Sequence, residues 1–240
     1  MTFIEDSLIN LLTLNKNRQL IEYINEDIYI TTIGKIFKNK KFNKCNLLQT
    51  AIKYNNSKTI QLALDNDVDL SFNDSYLLYL ASISGYIKIM KLLLQDIHVD
   101  PSARNNYILY NAAQFKQLES MKLLLQYNHV NPAITNNIIL KEAVENQNIE
   151  VVKLLLKDKR VNPAFYRNYV LKIAIYYGYI EIVKVLLQDE RVDPSIDNNY
   201  PLRIALEQNY KEIIKLLIPR FKFDSNSNDN YYSKPSSPTI

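Results

Sequence analysis

The sequence predicts an all-α solenoid of stacked helix-turn-helix units joined by short turns, and three observations carry that prediction. Pro101, Pro132, Pro163 and Pro194 fall 31 residues apart, as do Val99, Val130, Val161 and Val192, and so do Ala81, Ala112, Ala143, Ala174 and Ala205. Self-similarity at a fixed period of about 20–50 residues is the signature of stacked repeats. Inside each unit the apolar residues recur at helical spacing. Between Tyr169 and Asn199 they are Leu171, Ala174 and Ile175, then Ile180, Ile182, Val183, Leu186 and Leu187. Finally, 3 Gly and 8 Pro in 240 residues leave little room for loops or β-rich architecture.

Composition narrows the function classes. With 47% hydrophobic and 22% charged residues the chain is ordinary for a folded protein. A formal charge of +4 suits an acidic partner slightly but falls well short of a nucleic-acid footprint. The single cysteine, Cys45, excludes an internal disulfide framework and fits a reducing compartment. Glu5 and Asp6 stand where a signal peptide would carry positive charge, and no apolar run approaches the roughly 18 residues of a membrane span. A monomer in the cytoplasm is expected, without membrane contact.

Taken in order, the first stretch is the least regular. Ile4 to Leu14 is apolar at helical spacing, and Gln19 to Asn25 follows the polar break Asn15-Lys16-Asn17. Aligned on the later pairs, Leu12 takes the place of the repeated alanine, and Leu20, Ile21 and Ile24 take those of Ile182, Val183 and Leu186. Residues 1–45 therefore read as a divergent capping unit, because one side of a terminal repeat faces water. Between Ile28 and Lys44 an insertion breaks the period and crowds Lys35, Lys38, Lys40, Lys41 and Lys44 together. It reads as a solvated connection, with a basic patch for an acidic partner as the alternative.

From residue 46 to 218 the repeats take over, in units near 46–75, 76–106, 107–137, 138–168, 169–199 and 200–218. Leu47 to Tyr54 and Lys58 to Asp65 form the first clear helix pair, closed by Val68-Asp69-Leu70-Ser71, a turn without the proline. Later pairs open near Tyr76, Tyr107, Ile138, Tyr169 and Tyr200, and Pro219 ends the last helix. A small alanine at one place in every unit lets neighbouring first helices approach closely. Residues 219–240 carry too little apolar surface to order themselves and are expected to form a disordered tail.

The turns have their own chemistry. Gly85 and Gly178, with Asn55, Asn148 and Asn209 at or beside the equivalent place, tolerate the left-handed backbone expected between paired helices. Lys116 fills that site once, which predicts a strained or different turn there. Asp100, Asn131, Asn162 and Asp193 precede the prolines or their equivalents, and their side chains are expected to bond nearby backbone N–H groups rather than to act as catalytic carboxylates. The pairs Asn105-Asn106, Asn136-Asn137 and Asn198-Asn199 lead into the next helix, where Asn is a favoured cap.

On these residues the chain resembles ankyrin repeats. Gly178-Tyr179-Ile180-Glu181-Ile182-Val183-Lys184-Val185-Leu186-Leu187 is similar to the family's glycine, aromatic or histidine, and Glu-Val-Val-x-Leu-Leu segment. Tyr200-Pro201-Leu202-Arg203-Ile204-Ala205 is similar to its Thr-Pro-Leu-His-x-Ala helix start. Two departures stand out: the period is 31 where the family's is 33, and Asn-Asn-Tyr-x-Leu-x-x-Ala replaces most of the Gly-x-Thr-Pro-Leu-His segment. The resemblance with these departures implies an ankyrin-repeat-like solenoid in which short turns replace the full β-hairpin fingers. The 31-residue form with Val-Asp-Pro-Ser turns is also similar to the expanded ankyrin sets of giant DNA viruses.

Nothing in the sequence points to catalysis. His98 and His129, one period apart, are the only histidines, and without cysteine or clustered carboxylates they make a poor zinc site. Cys45 has no histidine near it in sequence. No Gly-rich phosphate loop, Gly-x-Ser-x-Gly or His-Glu-x-x-His is present, so no metal, no cofactor and no enzymatic activity are expected. The resemblance implies a protein-protein interaction scaffold, whose unidentified protein partner binds the concave side made by the turn tips and the exposed side of the first helices. Large aromatics and arginine dominate interface hot spots. The candidate partner-binding residues are therefore Phe115, Phe165, Tyr166, Arg167, Tyr176 and Tyr177, joined by Arg104 and Asp197 at turn tips. Tyr76, Tyr107, Tyr169 and Tyr200 recur with the period and read as structural. The alternatives are a nucleic-acid-associated scaffold using Lys35 to Lys44, and a metal or thiol enzyme built on the two histidines and Cys45.

Overall fold

A computed structural model describes residues 26–38 and 44–220. Every regular element among them is a helix. The chain divides into two compact units, one ending at Asn162 and one beginning at Pro163.

In the first unit the helices are α1 (Glu26–Lys38), α2 (Lys44–Lys53), α3 (Ser57–Leu64), α4 (Phe72–Ile83), α5 (Ile87–Leu93), α6 (Ala103–Gln114), α7 (Leu118–Leu124), α8 (Ile134–Glu145) and α9 (Ile149–Leu156). First helices pack on first helices, α2 on α4, α4 on α6 and α6 on α8, while α1, α3, α5, α7 and α9 form the second row. In the second unit α10 (Phe165–Tyr176) packs on α12 (Ile196–Glu207), and α11 (Ile180–Leu187) packs on α13 (Lys211–Leu217). A single 3₁₀ turn, Ile218–Arg220, carries Pro219 and closes α13.

The periodic letters are the core. Ala81, Ala112, Ala174 and Ala205 are fully buried and Ala143 nearly so, which gives the first helices the close approach their packing requires. Val99, Val130, Val161 and Val192 are buried beneath the turns, as are all four periodic prolines. Second helices also reach back to the preceding turn: Gln117 Nε2 donates to Ile83 O at 3.1 Å, and Ser120 Oγ donates to Ser82 O at 2.9 Å.

α1 corrects the reading of the lysine-rich insertion as a connection. Residues 26–38 form a helix that buries Ile33, Ile36 and Phe37 and packs on α3, so it stands where a second helix of a capping unit belongs. Its apolar residues recur at helical spacing, and burial of that face outweighs the lysines, whose ammonium groups stay in water. Gln19 to Asn25, expected to be that helix, lies outside the described residues, as do Lys40, Lys41 and the tail from residue 221.

The turns between units hold the main departure from expectation. From α4 onward, the right-handed part of each first helix is preceded by three successive residues in left-handed conformation: Asn73-Asp74-Ser75, Arg104-Asn105-Asn106, Thr135-Asn136-Asn137, Tyr166-Arg167-Asn168 and Asp197-Asn198-Asn199. This is one turn of left-handed helix, closed by bonds such as Asn106 N to Ser102 O at 2.8 Å and Asn199 N to Ser195 O at 3.0 Å. Right-handed helix then starts at Tyr76, Tyr107, Ile138, Tyr169 and Tyr200, in agreement with the openings read from sequence. Pro201 thus sits in the first right-handed turn, where its missing N–H has no intrahelical acceptor to lose.

Left-handed backbone costs roughly 1–2 kcal/mol per ordinary residue, and inter-unit hydrogen bonds oppose that cost. Asn106 Oδ1 accepts from Asn131 N at 2.7 Å and Asn137 Oδ1 from Asn162 N at 3.1 Å. Ser75 Oγ does the same for Asp100 N at 2.8 Å, and Asn168 Nδ2 donates to Asp193 O at 2.6 Å. These buried side chains therefore bridge consecutive turns, which corrects the reading of Asn106 and Asn137 as caps of the helix that follows. The residues before the prolines behave as expected: Asp100 Oδ1 accepts from Ser102 N and Oγ at 2.8 and 2.7 Å, and Asp193 Oδ1 accepts from Ser195 N and Oγ at 3.0 and 2.6 Å.

Within units, Gly85, Gly178, Asn55 and Asn209 take positive φ as expected. Gln147 takes it in place of Asn148, which instead caps α9 by accepting from Val151 N at 3.4 Å. Lys116 adopts φ 58 with the same bonds as its glycine counterparts, so that turn is not a different one.

Candidate partner-binding surface

Helical geometry decides what the first helices show to solvent. Residues three, four and seven apart share a face, so burial of Leu171, Ala174 and Ile175 leaves Tyr169, Lys172 and Tyr176 along the outer side of α10. The corresponding stripe on α4 is Tyr76 and Tyr79, and on α6 it is Tyr107 and Tyr110. In the first unit the rings of Tyr76, Tyr79 and Tyr107 stack in series at 5.6 Å between neighbouring centroids. Burial, then the neighbouring Tyr107 and Tyr76, push the Tyr79 hydroxyl above its ordinary pKa. Tyr107, Tyr169 and Tyr200 are each about two-fifths exposed, so these periodic tyrosines belong to the surface and not to the core.

Of the sequence candidates in the first unit, Phe115 ends α6 and is 54% exposed. Arg104 is partly committed to its own scaffold. Its Nη2 donates to Asn73 Oδ1 at 2.8 Å and to Asn73 O at 3.2 Å, and its Nε lies 3.4 Å from Asp74 Oδ2.

The second unit gathers the remaining candidates into two clusters. At the left-handed tip, Tyr166 is 74% exposed, with Phe165 at 6.4 Å and Tyr169 edge-on at 6.1 Å. Beside them Arg167 pairs with Asp197 Oδ1, and Lys172 Nζ donates to Asp197 Oδ2 at 2.5 Å. Asp197 is thus a mostly covered carboxylate between two cations, holding the tip in place. Burial and the adjacent Arg167 depress the Lys172 pKa. Lys172 Nζ and Arg203 Cζ lie 5.4 and 5.6 Å from the Tyr200 ring centroid. Lys172 and Arg203 escaped the sequence reading, which also took Tyr200 as structural, although each cation stands three residues after a periodic tyrosine, Tyr169 or Tyr200, on the same helix face.

The other cluster lies at the far end of α10. Tyr176 and Tyr177, both 57% exposed, meet edge-on at 5.1 Å, and Tyr177 stacks on Tyr179 at 5.5 Å. Tyr210 supports it from the next pair, with its hydroxyl 3.5 Å from Tyr176 O.

The histidines have a structural role that the sequence contained. His98, His129, Arg160 and Arg191 stand one period apart at the same place in the turn. His98 Nδ1 lies 3.0 Å from Asp96 Oδ1, and His129 Nε2 lies 3.5 Å from Asp100 Oδ1. Arg160 clasps Asp158 and also donates to Asn128 O and Val130 O at 3.0 and 2.8 Å, tying its turn to the preceding one. Hydrogen bonding from Arg160 holds the Asp158 carboxyl below the usual carboxylate range against the opposing effect of burial, and Arg191 does the same for Asp189. At Asp96 burial pushes upward, and hydrogen bonds from His98 and Leu70 N–H outweigh it. Among the described residues no three His, Cys, Asp or Glu side chains are placed to hold a metal ion. Cys45 is half-buried and accepts from Gln49 Nε2 at 3.0 Å. No described helix is long and apolar enough to cross a membrane.

Within each compact unit, two rows of short helices, with buried alanines on the first helices and tight turns between successive pairs, define a helical repeat architecture. Family models agree at the level of sequence: an ankyrin repeat matches residues 73–106, and a set of three ankyrin repeats matches residues 140–230. The chain belongs to the ankyrin-repeat family. A search of curated proteins finds no match.

Proposed function

We propose that this protein is a non-catalytic scaffold that binds a partner protein through the exposed side of its first helices and the tips of its left-handed turns, the side that is concave in ankyrin stacks. The observation that carries the reading is the contrast between positions. The letters that repeat, Ala174, Leu186 and Val192, are buried, whereas Phe165, Tyr166, Tyr176 and Tyr177 are exposed and differ from unit to unit. Exposed aromatic clusters beside an arginine have the chemistry of interface hot spots. The working stack spans residues 46–218, with 1–45 as its cap, and acts as a cytoplasmic monomer. Affinity capture from the cell of origin tests this. Tyr166→Ala with Tyr177→Ala should strip specific partners by roughly tenfold or more while the thermal melt is retained. An unchanged partner set would discard this surface.

A further inference from the structure

The tip of the second unit combines features that point to the chemistry of its ligand. Arg167 and Lys172 share the single carboxylate of Asp197, so the trio keeps one excess positive charge. Arg203 adds a second and has no carboxylate partner among the described residues; Glu207, one turn further along α12, is exposed at the other end of that helix. Lys172 and Arg203 are both held against the Tyr200 ring, so these cations are positioned rather than free to sweep through solvent. Tyr166 and Tyr169 flank them with rings whose hydroxyls can donate to a carboxylate and whose faces can cover apolar side chains.

We propose that the patch formed by Tyr166, Arg167, Tyr169, Lys172, Tyr200 and Arg203 takes an acidic peptide segment, one in which Asp or Glu carboxylates alternate with apolar side chains. This deepens the scaffold reading and rests on it. Asp197 already shows how the site meets a carboxylate, with two cations converging on its two oxygens. An incoming carboxylate would meet Arg203 and the outer side of Arg167 and would relieve the crowding of positive charge around Lys172. The charge is too small for a nucleic-acid backbone, whose binding typically draws on about 6–10 phosphate contacts. Here three cations are present and one carboxylate already offsets part of their charge.

The test is fluorescence anisotropy on the full chain with three labelled probes: a peptide alternating glutamate with phenylalanine, its glutamine counterpart, and single-stranded oligothymidylate. The acidic peptide should bind, and added salt should weaken it. The glutamine counterpart should bind roughly tenfold more weakly, and Arg203→Gln should weaken the acidic peptide by a similar factor with the thermal melt unchanged. Lys211→Gln, exposed at the start of α13 and outside the patch, should leave it unaltered. No binding of the acidic peptide, equal binding of the glutamine counterpart, no effect of Arg203→Gln, or tighter binding of oligothymidylate would each overturn the proposal. Partner capture separates it from the broader reading: loss in the Tyr166→Ala/Tyr177→Ala variant with full retention in Arg203→Gln sinks the acidic-peptide proposal alone.

Discussion

An asparagine at the third left-handed position has two properties that act together. Its short polar side chain lowers the cost of positive φ, and its oxygen reaches the backbone N–H of the next turn. Asn106 carries both, with φ 61 and a 2.7 Å bond from Asn131 N. Asn106→Ala should therefore lower unfolding free energy by about 1–3 kcal/mol, because the N–H of Asn131 loses its acceptor in a partly buried place. Asn106→Ser should recover more than half of the loss, since Ser75 makes the same bridge to Asp100 N at 2.8 Å in the first of these turns. Urea denaturation of the three proteins decides the matter, and equal losses for Ala and Ser would show that the bridge contributes nothing. Composition makes the asparagines conspicuous at this position, but the distance they span is a property of stacking. The acceptor and its donor lie 25 residues apart, so no local rule of capping or turn chemistry reaches the pairing.

At the scale of elements, the helices and their inner faces were legible because the period repeats them. The openings at Tyr76, Tyr107, Ile138, Tyr169 and Tyr200 and the buried positions of α10 and α11 agree with the pattern. α1 was not legible as a unit helix, since it belongs to no full period and its lysines advertise a solvated connection. Its identity comes from the face it buries on α3. The outer stripe of the first helices was half legible. Periodicity made Tyr107, Tyr169 and Tyr200 look like scaffold, whereas a face that repeats toward solvent has the same period as one that repeats toward the core. Leu186, fully buried in α11 between the two helix rows, tests the register directly. Leu186→Ala should cost roughly 2–5 kcal/mol in urea denaturation. A loss below about 0.5 kcal/mol would mean that this side chain does not fill the interior.

Stacked repeats differ from globular domains in how a local loss spreads through the molecule. Each pair touches only its neighbours, so stability is approximately a sum of unit terms and nearest-neighbour terms. Ile33 on α1 and Leu124 on α7 are both fully buried, and area alone assigns them similar costs. Their positions differ: α1 packs on α3, whereas α7 lies between α5 and α9 in the second row. Removing side-chain volume at Ile33 loosens a helix whose departure leaves the later pairs intact. The same change at Leu124 weakens coupling on both sides. Native-state hydrogen exchange should therefore show Ile33→Ala accelerating amides in α1, α2 and α3 while those of α8 and α9 keep their wild-type rates. Leu124→Ala should accelerate exchange from α4 through α9. If Ile33→Ala speeds exchange equally across the whole first unit, that unit opens as one cooperative body and the nearest-neighbour description of it fails.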